Sequence, residues 1–88
     1  MGNLKKLHVW QKAKNLAVKI YRITNSGRFL KDYRFRDQIW AAAVSVPFNI
    51  AEGDELDTNK QAVRFFYISK GSAAEVITQT IIAFEIGY

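Results

Sequence analysis

The chain contains no cysteine, and it has only one histidine, one methionine and one proline among its 88 residues. The absence of cysteine excludes disulfides, thiolate metal sites and a cysteine nucleophile, and nothing in the sequence favours an oxidising compartment. The lone His8 has no second histidine to share a metal, and a helical di-iron site would need a Glu-x-x-His pair from two helices. We therefore predict no metal site, no cofactor and no enzymatic activity.

Serine, glycine and acidic residues supply no recognisable reaction either. Ser45 and Ser72 have no histidine base and no nucleophile elbow. The one acidic cluster, at residues 52–57, lacks the alternating oxygen ligands of a calcium loop, which favours a solvated turn. Gly71 has neither the glycine-rich run nor the following lysine of a phosphate loop, and we interpret it as the site of a close helix crossing.

Long hydrophobic runs are also missing. The most apolar run, residues 81–84, is far shorter than the roughly 20 residues that a membrane-spanning helix needs. The N-terminus lacks the apolar core and the cleavage site of a secretory signal. The sequence therefore predicts a cytoplasmic protein with no membrane partner. With 49% hydrophobic and 24% charged residues, it is typical of a single globular domain, predicted to span residues 1–88.

Positive charge is concentrated in the first part of the chain. Residues 1–36 contain ten of the thirteen lysine and arginine residues and one acid, whereas residues 37–88 contain three bases and seven acids. Such an asymmetry steers polyanions, although it serves self-association or solubility equally well. The candidate phosphate-binding residues are Lys5, Lys12, Lys19, Arg22, Arg28, Lys31, Arg34 and Arg36.

Two interpretations of these basic residues stay open. Lysine and arginine contacts to phosphates give salt-dependent, sequence-tolerant binding, and the interleaved aromatics Phe29, Tyr33 and Phe35 can add stacking on unpaired bases. Alternatively, the lysines form the solvated back of a helix and the aromatics belong to the core. On the residues alone we favour the second interpretation.

Apolar spacing predicts three helices. The first has a core stripe at intervals of three and four residues and ends at a stop signal, Asn25-Ser26-Gly27. Segment 28–36 has no clean period and is interpreted as an irregular link with at most a short helical turn. The stripe consists of Trp10, Ala13, Ala17, Ile20 and Thr24, and Val9, Leu16 and Ile23 widen it.

The second helix is predicted to begin near Asp37 and to end at Gly53, with Pro47 inside it. Proline removes a backbone hydrogen bond and disfavours helical geometry before it. An apolar stripe nevertheless keeps its phase across the proline, which favours one kinked helix over a loop. This stripe is Ile39, Ala43, Val46 and Ile50. A small and polar stripe that includes Ser45, Asn49 and Glu52 predicts hydrogen bonds within a bundle or across subunits.

The third helix is predicted to start at a capping box, Thr58 to Gln61, and to run to the end of the chain. It is apolar on more than one side, and such a helix must be buried on more than one side. Three helices are too few to bury it, so we expect either a fourth helix or a partner subunit.

Three strings of residues, in order along the chain, resemble the signature regions of one protein family. They are VWQKA at 9–13, QI with AAVSVP and NIAEG within 38–53, and a string that begins GSAAE at 71 and ends GY at 88. The family is that of the four-helix bundle proteins encoded by intervening sequences in bacterial 23S ribosomal RNA genes. The residues we take as its structural motif are Ser45, Pro47, Asn49, Glu52, Gly53 and Gly71.

The resemblance implies an all-α, up-and-down four-helix bundle, with three helices in this chain and the fourth missing, assembled as a homo-oligomer in which a pentamer is favoured. It also implies a relation to the accessory protein of diversity-generating retroelements, which associates with a reverse transcriptase and with nucleic acid. We therefore expect a non-catalytic module that binds RNA or DNA phosphates through a basic face. The alternative is a scaffold or adaptor for another protein, such as a reverse transcriptase, without direct nucleic-acid binding.

Two departures from the family pattern affect the second helix. Trp40 and Ala41 stand where basic residues are common, which removes positive charge and argues against a nucleic-acid surface on this helix. Phe48 stands where a small polar residue is usual, and it adds an aromatic ring beside Pro47 that we interpret as a packing or interface contact.

Overall fold

A computed structural model describes residues 6–56 and 58–88, which form three α-helices and a short 3₁₀ helix and contain no strand. The elements are α1 (His8–Thr24), the 3₁₀ helix (Gly27–Lys31), α2 (Tyr33–Glu55) and α3 (Asn59–Glu85). α2 packs extensively against both α1 and α3, whereas α1 and α3 hardly touch. The predicted all-α bundle with one helix missing is confirmed. No helix in the described ranges has the length and hydrophobicity that a membrane crossing requires.

α1 buries the narrow stripe that its spacing predicts. Ala13, Ala17, Ile20 and Thr24 are buried, and the hydroxyl of Thr24 donates to the Ile20 carbonyl at 2.8 Å, so this buried polar group is satisfied. The helix ends at Thr24, directly before the predicted stop at residues 25–27, in which Gly27 takes up a positive φ of 58°.

The prediction that three further apolar residues widen the buried stripe of α1 is wrong. Val9 and Ile23 are each 55% exposed and Leu16 is 39% exposed. They lie on the side of α1 that faces the space beside α3, and no described element occupies that space.

The segment after α1 is more regular than predicted. α2 begins at Tyr33 rather than near Asp37, because the carboxylate of Asp32 caps the helix and accepts the Phe35 amide at 3.2 Å. Phe29 is buried, and its ring lies 5.5 Å from the ring of Phe35. These tertiary contacts give a regular structure to a stretch that has no periodic pattern of its own.

α2 continues through Pro47 as one helix, as predicted, and Ile39, Ala43, Val46 and Ile50 are buried along it.

Its predicted end at Gly53 is wrong, since the helix reaches Glu55. Gly53 is buried, and a Cβ atom added there would lie 2.6 Å from a ring carbon of Phe66 and 3.1 Å from the Ala62 carbonyl oxygen. The glycine therefore permits close packing of α2 on α3 and does not stop the helix.

α3 starts at the predicted cap, where the hydroxyl of Thr58 accepts the Gln61 amide at 3.3 Å. The close crossing predicted at Gly71 is wrong, because this residue is exposed and a Cβ added there would meet nothing within 4 Å. Two buried serines make the crossing instead. Ser69 donates to the Val46 carbonyl at 2.9 Å, and the Ser72 hydroxyl lies 2.8 Å from that of Ser45.

Candidate functional site

The basic residues of α1 lie on the side that faces away from the bundle. Lys12, Lys19 and Arg22 are exposed; Lys19 and Arg22 lie opposite the buried stripe of Ala13 and Ala17, and Lys12 lies at the edge of this side, where it lines a groove together with Ala13. Arg22 stands in the last turn, where a positive charge is favourable to the helix dipole. Lys5 was predicted to join this face and lies outside the described residues.

The other candidate bases follow at the end of the bundle where α1 leads into α2. Arg28 and Lys31 are exposed on the 3₁₀ helix, and Arg34 is exposed in the first turn of α2. Arg36 is less available, because it donates to the Leu30 carbonyl at 3.4 Å. It also makes the one ion pair found among the described residues, with Asp37 at 3.7 Å. The other described candidate bases are exposed, and within residues 6–56 and 58–88 none of them forms an ion pair with an acid.

The aromatic residues of segment 28–36 were predicted either to stack on bases or to belong to the core, and the structure places them differently from one another. Phe29 is buried and packs edge-on against Tyr88 at a centroid distance of 5.0 Å, and Phe35 is half-buried beside them. These two rings belong to the core. Tyr33 is 65% exposed, with the Arg36 guanidinium 5.1 Å from its ring centroid, so it alone of the three presents a face to solvent.

Asp32, the single acid of the first 36 residues, is engaged at both carboxylate oxygens. One oxygen caps α2, and the other accepts a hydrogen bond of 2.6 Å from the Tyr88 hydroxyl. This hydrogen bond is the largest cause that raises the pKa of Tyr88, and burial and the charge of Asp32 act in the same direction. The contact holds the end of α3 against the start of α2.

The polar stripe of α2 makes its hydrogen bonds inside the chain. The Asn49 amide nitrogen donates to the Ser45 carbonyl at 2.8 Å and to the Ser45 hydroxyl at 2.9 Å. Together with the bond from Ser69 to Val46, these contacts surround the break at Pro47. Glu52 is exposed, and the described structure gives it no hydrogen bond. Ser69 and Ser72 were missed as partners, although small polar residues three apart in an apolar helix are a usable signal.

An apolar groove of about 530 Å³ runs between α1 and α3 over the middle of α2. Val9 and Leu16 line one wall, Phe66 and Ala73 line the other, and Val46 lies in the floor. Further along α3 the apolar side chains stay exposed; they are Val63, Ile77, Ile81 and Phe84. The groove is where a fourth helix of an up-and-down bundle, or a helix of another subunit, would pack.

The single histidine and the acidic cluster are the remaining candidates from the sequence for a chemical role. His8 is exposed, and no three His, Asp or Glu side chains within residues 6–56 and 58–88 are placed to hold a metal ion. The acidic residues Glu52, Asp54 and Glu55 belong to the end of α2 rather than to a loop, and Asp57 lies outside the described residues.

The sequence was compared with known protein families and with curated proteins. The family model described as 23S rRNA-intervening sequence protein matches residues 5–88, which is nearly the whole chain. No curated protein matches.

Proposed function

Because the chain belongs to the family of 23S rRNA-intervening sequence proteins, we propose that it is a non-catalytic, homo-oligomeric helical module that binds RNA or DNA phosphates. The observation that carries this proposal is the basic face of α1 and the adjoining turn, whose exposed bases form no ion pair in the part of the chain that the structure describes. We define the basic face as Lys12, Lys19, Arg22, Arg28, Lys31 and Arg34.

Binding of this kind is electrostatic and depends on released counterions. Each phosphate neutralised contributes about 0.9 to the slope of log affinity against log salt for a duplex and about 0.7 for a single strand. One copy of the basic face offers few contacts, so its binding alone is weak. A ring of copies multiplies these contacts, since later contacts become intramolecular once the first has formed.

Self-association is supported by the apolar surface that one chain leaves uncovered. The α1–α3 groove and the outer side of α3 expose side chains that water solvates poorly, and contiguous patches of this kind mark association surfaces. We propose a homopentamer, the assembly that the family resemblance implies. Light scattering measures the mass directly, and a monomeric mass would refute the assembly.

Charge reversal on the basic face tests the binding site. We expect K19E/R22E to weaken binding to labelled RNA and DNA by tenfold or more at low salt and to reduce the salt slope by about 1 to 2. The matched control is K60E/R64E, which reverses two exposed bases on α3. If both variants lose affinity equally, the binding reflects net charge and not the basic face.

A protein adaptor is the second candidate function, and the α1–α3 groove favours it because the groove is apolar enough to take a helix of another protein. A reverse transcriptase is one partner of this kind. An intact oligomer that binds neither RNA nor DNA at low salt would exclude the nucleic-acid proposal and leave the adaptor.

A further inference from the structure

A second groove, of about 370 Å³, lies between α1 and α2 on the other side of the buried stripe of α1. Trp10 and Lys14 line it from α1, and Trp40, Pro47 and Phe48 line it from α2. Both tryptophans of the chain are therefore in this one groove. Pro47 is buried beneath it, so the residue that interrupts the backbone hydrogen bonds of α2 also forms part of its apolar surface.

Two of the three aromatic residues that line this groove are exposed, whereas Trp10 is half-buried. Phe48 is 63% exposed and Trp40 is 36% exposed. Tyr21, which is 51% exposed, extends the row, because its ring centroid lies 5.0 Å from that of Trp40. Large rings held at a surface by rigid helices present flat faces with little conformational freedom to lose on binding.

Positive charge accompanies these rings. The ammonium group of Lys14 lies 5.9 Å from the Trp10 ring centroid, and no acidic residue lines the groove. Arg22 lies one helical turn after Val18, which lines the groove, and it belongs to the basic face, so the groove borders the surface already proposed to contact phosphates. A ligand that fits here has flat apolar faces and a negatively charged backbone.

We propose that the α1–α2 groove binds unpaired bases of single-stranded RNA or DNA, which stack on Trp40 and Phe48 while Lys14 contacts an adjacent phosphate. This inference rests on the proposed nucleic-acid binding and specifies the class of ligand. Stacking on aromatic side chains tolerates any base, because every base has a π face, whereas bases inside a duplex cover each other's faces. The module therefore prefers single strands to duplexes with the same phosphates.

Tryptophan fluorescence of the full chain tests this directly, because both tryptophans line the groove. The ligands are equal-length single-stranded RNA, single-stranded DNA, the corresponding duplexes and an abasic single strand. We expect the two base-containing single strands to quench the emission and to bind several-fold more tightly than the abasic strand. Comparison of the affinities for single-stranded RNA and single-stranded DNA shows whether the groove prefers ribose or deoxyribose.

Variants of Phe48 separate stacking from simple apolar contact. F48A is expected to lower single-strand affinity about tenfold and to leave the salt slope unchanged, because the phosphate contacts remain. F48L keeps an apolar side chain but removes the ring, and it is expected to lose affinity to a similar extent. The control is Y67A, which removes a 67% exposed ring from α3. Circular dichroism checks that each variant is folded.

The outcomes distinguish this inference from the function on which it rests. Equal binding of base-containing and abasic strands without quenching overturns the stacking site and leaves phosphate binding by the basic face. Full affinity in F48L also overturns stacking. Failure to bind any ligand at low salt refutes the proposed function and this inference together. Tryptophan emission that changes with protein concentration but not on addition of oligonucleotide would identify the α1–α2 groove as a contact between copies of the chain. This result would overturn the proposed stacking site.

Discussion

Gly53 and Gly71 show how differently two glycines in helix interiors are used. A side chain at position 53 would collide with the Phe66 ring and crowd the Ala62 carbonyl, whereas position 71 is open to solvent. The sequence pattern predicted a helix end at Gly53 and a close crossing at Gly71, and both predictions are wrong. Local chemistry cannot separate these roles, because both depend on how near the neighbouring helix lies.

Substitution of both glycines by alanine is therefore expected to have opposite effects. G53A should reduce the free energy of unfolding by about 1 to 2 kcal/mol, since overpacking outweighs the gain in helix propensity. G71A should increase it by about 0.5 to 1 kcal/mol. Urea denaturation followed by circular dichroism measures both, and a stabilised G53A would contradict the close packing of α2 on α3.

The stability of the fold is expected to decline at alkaline pH as Tyr88 loses its proton. Its hydroxyl donates to Asp32 only while it is protonated, and the fold raises its pKa. The stabilisation is therefore complete below the ordinary tyrosine pKa of about 10 and is lost as the pH rises through the higher pKa of the folded state. Y88F should remove this part of the alkaline decline in melting temperature. The control is Y33F, which alters an exposed tyrosine and should keep the wild-type pH profile.

In α2, side-chain donors bond to the two backbone carbonyls that precede Pro47. Asn49 bonds to Ser45, and Ser69 reaches from α3 to the Val46 carbonyl beside the break. The periodic stripes of α2 predicted its continuity, because their phase survives the proline. The hydrogen bond from Ser69 on α3 was not predictable, since it depends on the register between α2 and α3.

The serine contact predicts a measurable loss. S69A should reduce the free energy of unfolding by about 1 kcal/mol, because it removes a buried hydrogen bond next to the break. T78A is the control, since the Thr78 hydroxyl bonds to its own helix at an exposed position, and its effect should stay within about 0.5 kcal/mol. Thermal denaturation compares the two, and equal losses would show that the Ser69 contact contributes nothing beyond a helical hydroxyl.

In the folded chain, α1 separates two grooves, of which one is lined mainly by aliphatic side chains and the other contains both tryptophans. Leu16 lines the apolar α1–α3 groove, and Val18 lines the aromatic α1–α2 groove. The two residues are 39% exposed each, so they form a matched pair for substitution. Trp40 removes positive charge from α2, but Lys14 of α1 lines the same groove as Trp40 and supplies a cation there.

The matched pair tests which groove supports assembly. L16E should lower the mass measured by light scattering towards that of a monomer, because a charge in the α1–α3 groove opposes its burial by another copy. V18E should leave the mass unchanged and reduce single-strand binding. If V18E loses assembly and L16E does not, the contact between subunits lies at the α1–α2 groove instead.

Periodicity and capping within a few residues were enough to predict the helical class, the number of helices, the cap of α3 at Thr58, the end of α1 before Gly27 and the central buried residues of α1 and α2. The sequence by itself also determined the family, through motifs spread over the chain. The packing of the helices set the role of each glycine, the core positions of Phe29 and Phe35 and the two grooves beside α1. These depend on distances between helices that no local pattern contains.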